Sequence, residues 1–238
     1  ELQTTPFLRE LAQTSLVAEN AFSNASSTTG STTSVLTGKE SIRTKVFRYP
    51  DILSGRDSFE HLPGILRQRG YQTVEIGTPS YVDARKLNLV EGFDIVNGQS
   101  LNTPVSDAIR TLLGNSPSTY FIETISERAS ERLLHIFFLK EMRNPLAEVE
   151  NPAARTSDAQ RVDQILDLLD QSDQPVFIFA HLMDTHGPNF SFQKQVFSSG
   201  SSADNDWDEG RYQDALLSFD SHVKKIYDHL AETGQLDN

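Results

Sequence analysis

Val176-Phe177-Ile178-Phe179-Ala180 decides the fold. The run is apolar at every position, so it offers no polar face to water. After the break at Asp173-Gln174-Pro175 it reads as a strand in the middle of a parallel sheet covered by helices. Just upstream, Thr156 or Ser157 caps a helix that carries Val162, Ile165, Leu166 and Leu169 at helical spacing. Further helices are expected from Thr5-Pro6, with Phe7, Leu8 and Leu11 as the buried stripe, and from Ser58, with Leu62, Ile65 and Leu66 inward and Gly70 as the C′ residue. Others are expected over Val105–Leu113 and Glu127–Met142, followed by a proline-bearing connection over Asn144–Ala154. Leu16–Ala25, Tyr71–Gly77 and Phe93–Val96 read as strands, the first with imperfect alternation. Ser198–Asp208 reads as a surface loop. A final helix then begins near Glu209, with Tyr212, Ala215, Leu216, Phe219, Val223, Ile226, Tyr227 and Leu230 as its apolar stripe and Gly234 closing it. Strands alternating with helices, with no internal repeat, predict a single α/β domain over 1–238: three-layer α/β/α, with a mainly parallel central sheet.

The 238 residues carry a formal net charge of −12 and 37% hydrophobic content. That amount of chain can bury a proper core, and the acidic balance argues against a nucleic-acid partner. No cysteine is present, which removes disulfides, thiolate metal sites and cysteine nucleophiles together. The longest apolar run, about Leu133 to Leu139, is far short of the roughly 20 residues of a membrane span. Asn24-Ala-Ser26 and Asn189-Phe-Ser191 fit the glycosylation sequon.

Two segments can carry chemistry. Asn24-Ala-Ser-Ser-Thr28-Thr-Gly-Ser-Thr-Thr-Ser-Val-Leu-Thr-Gly-Lys39 is crowded with hydroxyls. It reads as a strand, a tight turn and the first turn of a helix, which would expose a hydroxyl where free N–H groups and the helix dipole favour an anion. Such a hydroxyl can attack a phosphoryl or sulfuryl group once its pKa is lowered. A solvated Ser/Thr loop with N-caps explains the same residues. His181-Leu-Met-Asp-Thr-His-Gly-Pro188 follows the buried strand at the edge where open α/β sheets place ligands. Its His181, Asp184 and His186 suit a metal or an anion, and equally suit a capping Asp with two packed histidines. His61, His135, His222 and His229 lie within helical patterns and read as surface or packing residues.

Lys39 does not make a P-loop, because Thr33 and Glu40 stand where Gly and Ser/Thr are needed. Asp204, Asp206 and Asp208 resemble a calcium loop, but Glu209 replaces its turn glycine and Ala215 its last carboxylate. No Gly-x-Ser-x-Gly elbow occurs.

Five ordered segments resemble the sulfatase branch of the alkaline-phosphatase superfamily: Thr5–Ala12 with Ala21–Ser26, the hydroxyl run to Leu36-Thr-Gly-Lys39, Leu62–Thr73, His181–Pro188, and Tyr212–Asn238. The resemblance implies Thr28 as nucleophile and metal ligand, and His186 as the histidine that contacts the transferred group. It implies a divalent ion (Zn, Mn, Ca or Mg) and an anionic sulfate or phosphate ester as substrate. The sulfatase pattern Cys/Ser-x-Pro-x-Arg is replaced here by Thr28-Thr-Gly-Ser-Thr32, without its proline, its arginine or a formylglycine precursor. Threonine at this point resembles the phosphodiesterases and phospholipid-headgroup transferases of the superfamily. Thr78-Pro-Ser stands where many sulfatases have lysine.

Relatives open with a strand bearing metal-binding acids and supply an Asp-His pair after the Leu-Asp-Asn exit. The chain is therefore expected to be a fragment lacking both, inactive as it stands and holding metal weakly or not at all. The resemblance also implies an extracytoplasmic domain of a membrane-anchored parent. Two other readings stay open: a sulfatase with an atypical nucleophile turn, and a catalytically silent binding or scaffold domain. The enzymatic reading requires the Thr28 hydroxyl to protrude from a bend at the sheet's carboxyl edge and to face His186.

Overall fold

The computed structural model describes residues 3–78, 81–100, 156–199 and 207–236, with single helical positions at 112, 122, 125, 126 and 129. Apart from those positions, the expected helices over Val105–Leu113 and Glu127–Met142 and the connection Asn144–Ala154 lie outside the described residues. The elements are α1 (Pro6–Leu11), α2 (Thr28–Thr37), α3 (Ser41–Thr44), a 3₁₀ turn (Gly55–Ser58), α4 (Leu62–Gln68), β1 (Gln72–Ile76), α5 (Ala84–Leu87), β2 (Ile95–Val96), β3 (Gln99–Ser100), α6 (Asp158–Gln171), β4 (Val176–Ala180) and α7 (Glu209–Glu232). The alternation of strands and helices places the chain in the α/β class. Two compact units form. A sheet unit takes Asn24–Asn151 and Gln174–Phe179, and a helical unit takes Glu1–Ser23, Pro152–Asp173 and Ala180–Asn238.

In the sheet unit the strand order is β3-β2-β1-β4. β1 and β2 run parallel, with Val74 opposite Ile95 and Glu75 opposite Val96. β2 turns back antiparallel onto β3 through Asn97-Gly98. Both turn residues have positive φ, 50° and 73°, the conformation that Asn-Gly adopts most readily in a two-residue hairpin. The Gln72 N–H donates to Pro175 O at 2.8 Å and ties β1 to the start of β4. Leu36, Val46, Leu53, Leu87, Phe93 and Val96 form the core, and Phe177 and Phe179 pack against it. β4 differs from expectation. Among the described strands it ends the order rather than standing in the middle, with its first four residues half-buried and Ala180 exposed. An apolar run reports two covered faces but not how many strands flank it.

The predicted strand over Leu16–Ala25 is absent: the segment is irregular, and Leu16, Val17 and Phe22 are exposed. Glu19-Asn20 interrupts its alternation, so no face is continuously apolar. The helix expected to open at Ser58 opens at Leu62 instead, capped by buried His61, whose Nδ1 accepts from Gly64 N. Pro63 and Gly64 are buried, Leu66 is half-buried, and Leu62 and Ile65 are exposed, so only Leu66 of the three expected leucine and isoleucine positions turns inward. His61 Nε2 reaches Ser58 O and Val90 O, each at 3.1 Å. Burial lowers its pKa, so the ring is a neutral bridge between backbone segments.

Glu75 on β1 is fully buried. Its Oε2 accepts from Ala84 N at 2.7 Å, and its Oε1 has no partner among the described residues. Burial holds its carboxyl well above the usual range.

In the helical unit, α6 begins with a capping box between Ser157 and Gln160. The Asp220 carboxylate of α7 accepts from Phe7 N (2.9 Å) and Leu8 N (2.8 Å), so α7 caps α1 in place of Thr5, whose side chain makes no cap bond. The apolar stripe of α7 is only half right. Ala215 is buried, but the other deeply buried positions are polar: Asp214, Ser218, Asp220 and His222. Asp208 caps α7 through Arg211 N, and Gly234 follows its end at φ 71°.

The raised pKa of Glu75 makes its folded form bind a proton that the unfolded chain releases above about pH 4.3, so its contribution to stability is lost as pH rises through the folded value. Glu75→Gln should raise the thermal midpoint at pH 7 and leave it little changed at pH 4. An equal loss at both pH values would contradict the assignment.

Candidate functional site

The hydroxyl run folds directly into α2. Its N-cap is Ser27, in extended conformation, and Thr28 is the first helical residue. Ser27 does not cap the helix with its side chain. Its Oγ instead donates to Phe47 O at 2.6 Å. The same backbone dictates Gly30, where a Cβ would lie 2.7 Å from both Phe47 O and Ala25 Cβ. Further along, Ser31 donates to Ala25 O, Thr33 to Thr29 O and Thr37 to Thr33 O. Ser34 meets Ser41 at 3.3 Å. Most hydroxyls of the run therefore hold the helix and its neighbours together. Thr29 Oγ1 is buried without a partner among the described residues, and Thr28 beside it is half-buried. A helix start with no side-chain cap keeps its first N–H groups available to an anion. Lys39 pairs with Asp57 at 2.6 Å and Glu60 at 3.2 Å, an anchoring role in keeping with the rejected P-loop.

The His181–Pro188 segment belongs to the helical unit. Asp158, the first residue of α6, is buried and grips it from below. Its carboxylate accepts from Met183 N at 2.8 Å and Asp184 N at 2.7 Å, and pairs with buried Arg161 at 3.0 Å. His181 is held neutral, its pKa pushed down to about 4, first by burial and then by the Arg161 guanidinium. His186 is exposed, and its N–H donates to Met183 O at 2.9 Å. Beyond it the loop is locked by an aromatic cluster: Phe190 lies 5.0 Å from Trp207 and 5.4 Å from Tyr212 between ring centroids. A Cβ at Gly187 would come within 2.7 Å of the Trp207 ring, so the glycine permits this close approach. The loop is held at both flanks, and His186 between them is exposed.

Thr28 lies in the sheet unit and His186 in the helical unit. Among the described residues no group of three or more His, Cys, Asp or Glu side chains is arranged to hold a metal ion. Asp158 and Arg161 escaped the reading of the sequence. After Ser157, an Asp looks like an ordinary first-turn acid, and only the tertiary fold carries it to Met183 and Asp184.

The sulfatase family model matches residues 1–238, and the chain belongs to that family. Among solved structures it matches a protein in the alkaline phosphatase superfamily from Vibrio parahaemolyticus, at 15% identity and a TM-score of 0.54, over 97% of this chain and 45% of that one. The chain thus spans less than half the length of that structure, and the likeness is one of fold. No curated protein matches it.

Asp158→Ala would remove the carboxylate from the buried Arg161 guanidinium and from the N–H groups of Met183 and Asp184. It should cost about 3–5 kcal/mol in urea unfolding and sensitise the loop around His186 to protease. A loss under about 1 kcal/mol, the range of surface pairs, would show that the pair does not hold the loop.

Proposed function

We propose that the chain is a sulfatase-like catalytic domain of a hydrolase or transferase acting on sulfate or phosphate esters. Thr28 is the nucleophile and His186 the histidine that contacts the transferred group. The observation that carries the reading is the start of α2, where the N-cap Ser27 spends its hydroxyl on Phe47 O and leaves Thr28 at an uncapped, electropositive helix end. In the proposed reaction, Thr28 Oγ bonds to phosphorus or sulfur as the bond to the leaving alkoxide breaks. The proton released from Thr28 Oγ ends on the departing alkoxide, which leaves as the neutral alcohol. Water or an acceptor alcohol then takes the group from Thr28. First-turn N–H groups of α2 stabilise the charge that develops on the non-bridging oxygens.

The family resemblance implies a divalent ion at Thr28, but the described residues supply no ligand set for one.

Threonine, in place of a formylglycine precursor, favours phosphate over sulfate esters. The same reading makes the chain part of a longer, membrane-anchored protein with this domain outside the cytoplasm. Among the described residues no helix is long and apolar enough to cross a membrane.

The test compares p-nitrophenyl phosphate, bis(p-nitrophenyl) phosphate and p-nitrophenyl sulfate in the protein that carries this chain, assayed with Zn, Mn, Ca or Mg. Thr28→Ala should lower turnover about a thousandfold or more, with KM little changed. Retained turnover would move the nucleophile to Thr29 or Ser27. No turnover of any ester by the unmutated protein would favour the silent, ligand-binding reading.

A further inference from the structure

α7 buries a histidine that the proposed chemistry does not use. His222 is 3% exposed, and its Nε2 has no hydrogen-bond partner among the described residues. A carboxylate oxygen lies just beyond bonding range, Asp184 Oδ2 at 3.9 Å, on a residue itself 5% exposed. Both belong to the helical unit. Asp184 stands two residues before His186 and is the anchor of the loop. Its N–H is held by Asp158 Oδ2 at 2.7 Å, and its carbonyl accepts from Ser191 N at 3.0 Å.

A buried ring nitrogen without a partner carries its full desolvation penalty. Shortening the gap by roughly 1 Å would convert it into a charge-assisted hydrogen bond, one of the stronger contacts available to a buried pair. Asp220, two residues away on α7, is already spent on Phe7 N and Leu8 N. Ser218, one turn earlier, is neutral, and its Oγ is itself buried without a partner among the described residues.

We infer that His222 is a positioning residue: an Nε2–H bond to Asp184 sets the loop that presents His186. The role of His186 rests on the function proposed above, whereas the His222–Asp184 bond does not.

Imidazole-detected NMR of histidine-labelled protein tests both parts, with inorganic phosphate as the probe. In the unmutated protein His222 should carry its proton on Nε2, and Asp184→Asn should shift that nitrogen's resonance. His222→Leu should move the His186 ring resonances and weaken the phosphate-induced shift of His186 about tenfold, the loss expected of one charge-assisted hydrogen bond. His222→Gln, whose amide N–H reaches about as far as Nε2, should restore both to within about twofold. The inference is overturned if Asp184→Asn leaves His222 unmoved, if His222→Leu leaves His186 unchanged, or if the Gln variant behaves as the Leu variant. Should His222→Leu fail to fold, the Asn and Gln variants decide. If phosphate leaves His186 unmoved in the unmutated protein, the substrate role of His186 fails, while the ring resonances still judge the His222–Asp184 bond.

Discussion

Carboxylates turned onto distant backbone N–H groups hold this chain together. Asp220 caps α1 from α7, Asp158 grips Met183 and Asp184 from α6, and Asp214 takes the N–H groups of Val196, Phe197 and Ser198. In the sheet unit Asp94 does the same for Thr73. Long irregular segments cannot satisfy their own donors, and buried donors left unpaired are costly. An ionised carboxylate accepting two or three N–H groups is among the strongest ways to meet that need. The acidic composition is thus partly structural: several of the charges that make up the −12 balance are internal fasteners. Glu75 marks the limit of the device. With one N–H to accept and one oxygen unpaired among the described residues, its carboxyl is pushed well above the usual range by burial.

The same economy shapes the start of α2. Ser27 could cap the helix but bonds Phe47 O, and Gly30 lets that backbone strand approach closely. Local helix stability is given up there in exchange for a donor-rich end beside Thr28. Conflicts between local preference and observed geometry are expected where a chain binds or reacts. In the helical unit, the loop that carries His186 is held by Asp158 and by the Phe190–Trp207–Tyr212 cluster.

Local signals in the sequence located α1, α6 and α7, the strands β1 and β2, and Thr28 at a helix start. Each of these rests on short-range chemistry: proline at the first helical position, a capping box, alternation, or a glycine past a helix end. What escaped was set by long-range pairing. His61 reads as a surface or packing residue until Ser58 and Val90 are brought to its ring. Asp214 and Asp220 look like the solvated face of α7 until their backbone partners arrive. The Leu16–Ala25 strand failed for a local reason instead, since Glu19-Asn20 breaks its alternation and leaves no continuous apolar face to enter a sheet. The sequence also identified the family through ordered motifs, and the match over residues 1–238 agrees.

The account turns on the oxygen of Thr28 taking the transferred group. Rapid acid quench during turnover of bis(p-nitrophenyl) phosphate, followed by peptide mass spectrometry, reads that step directly. The account predicts a phosphoryl adduct on Thr28 that forms and decays at the rate of turnover. An adduct on a different side chain, or steady turnover with Thr28 never modified, would contradict it.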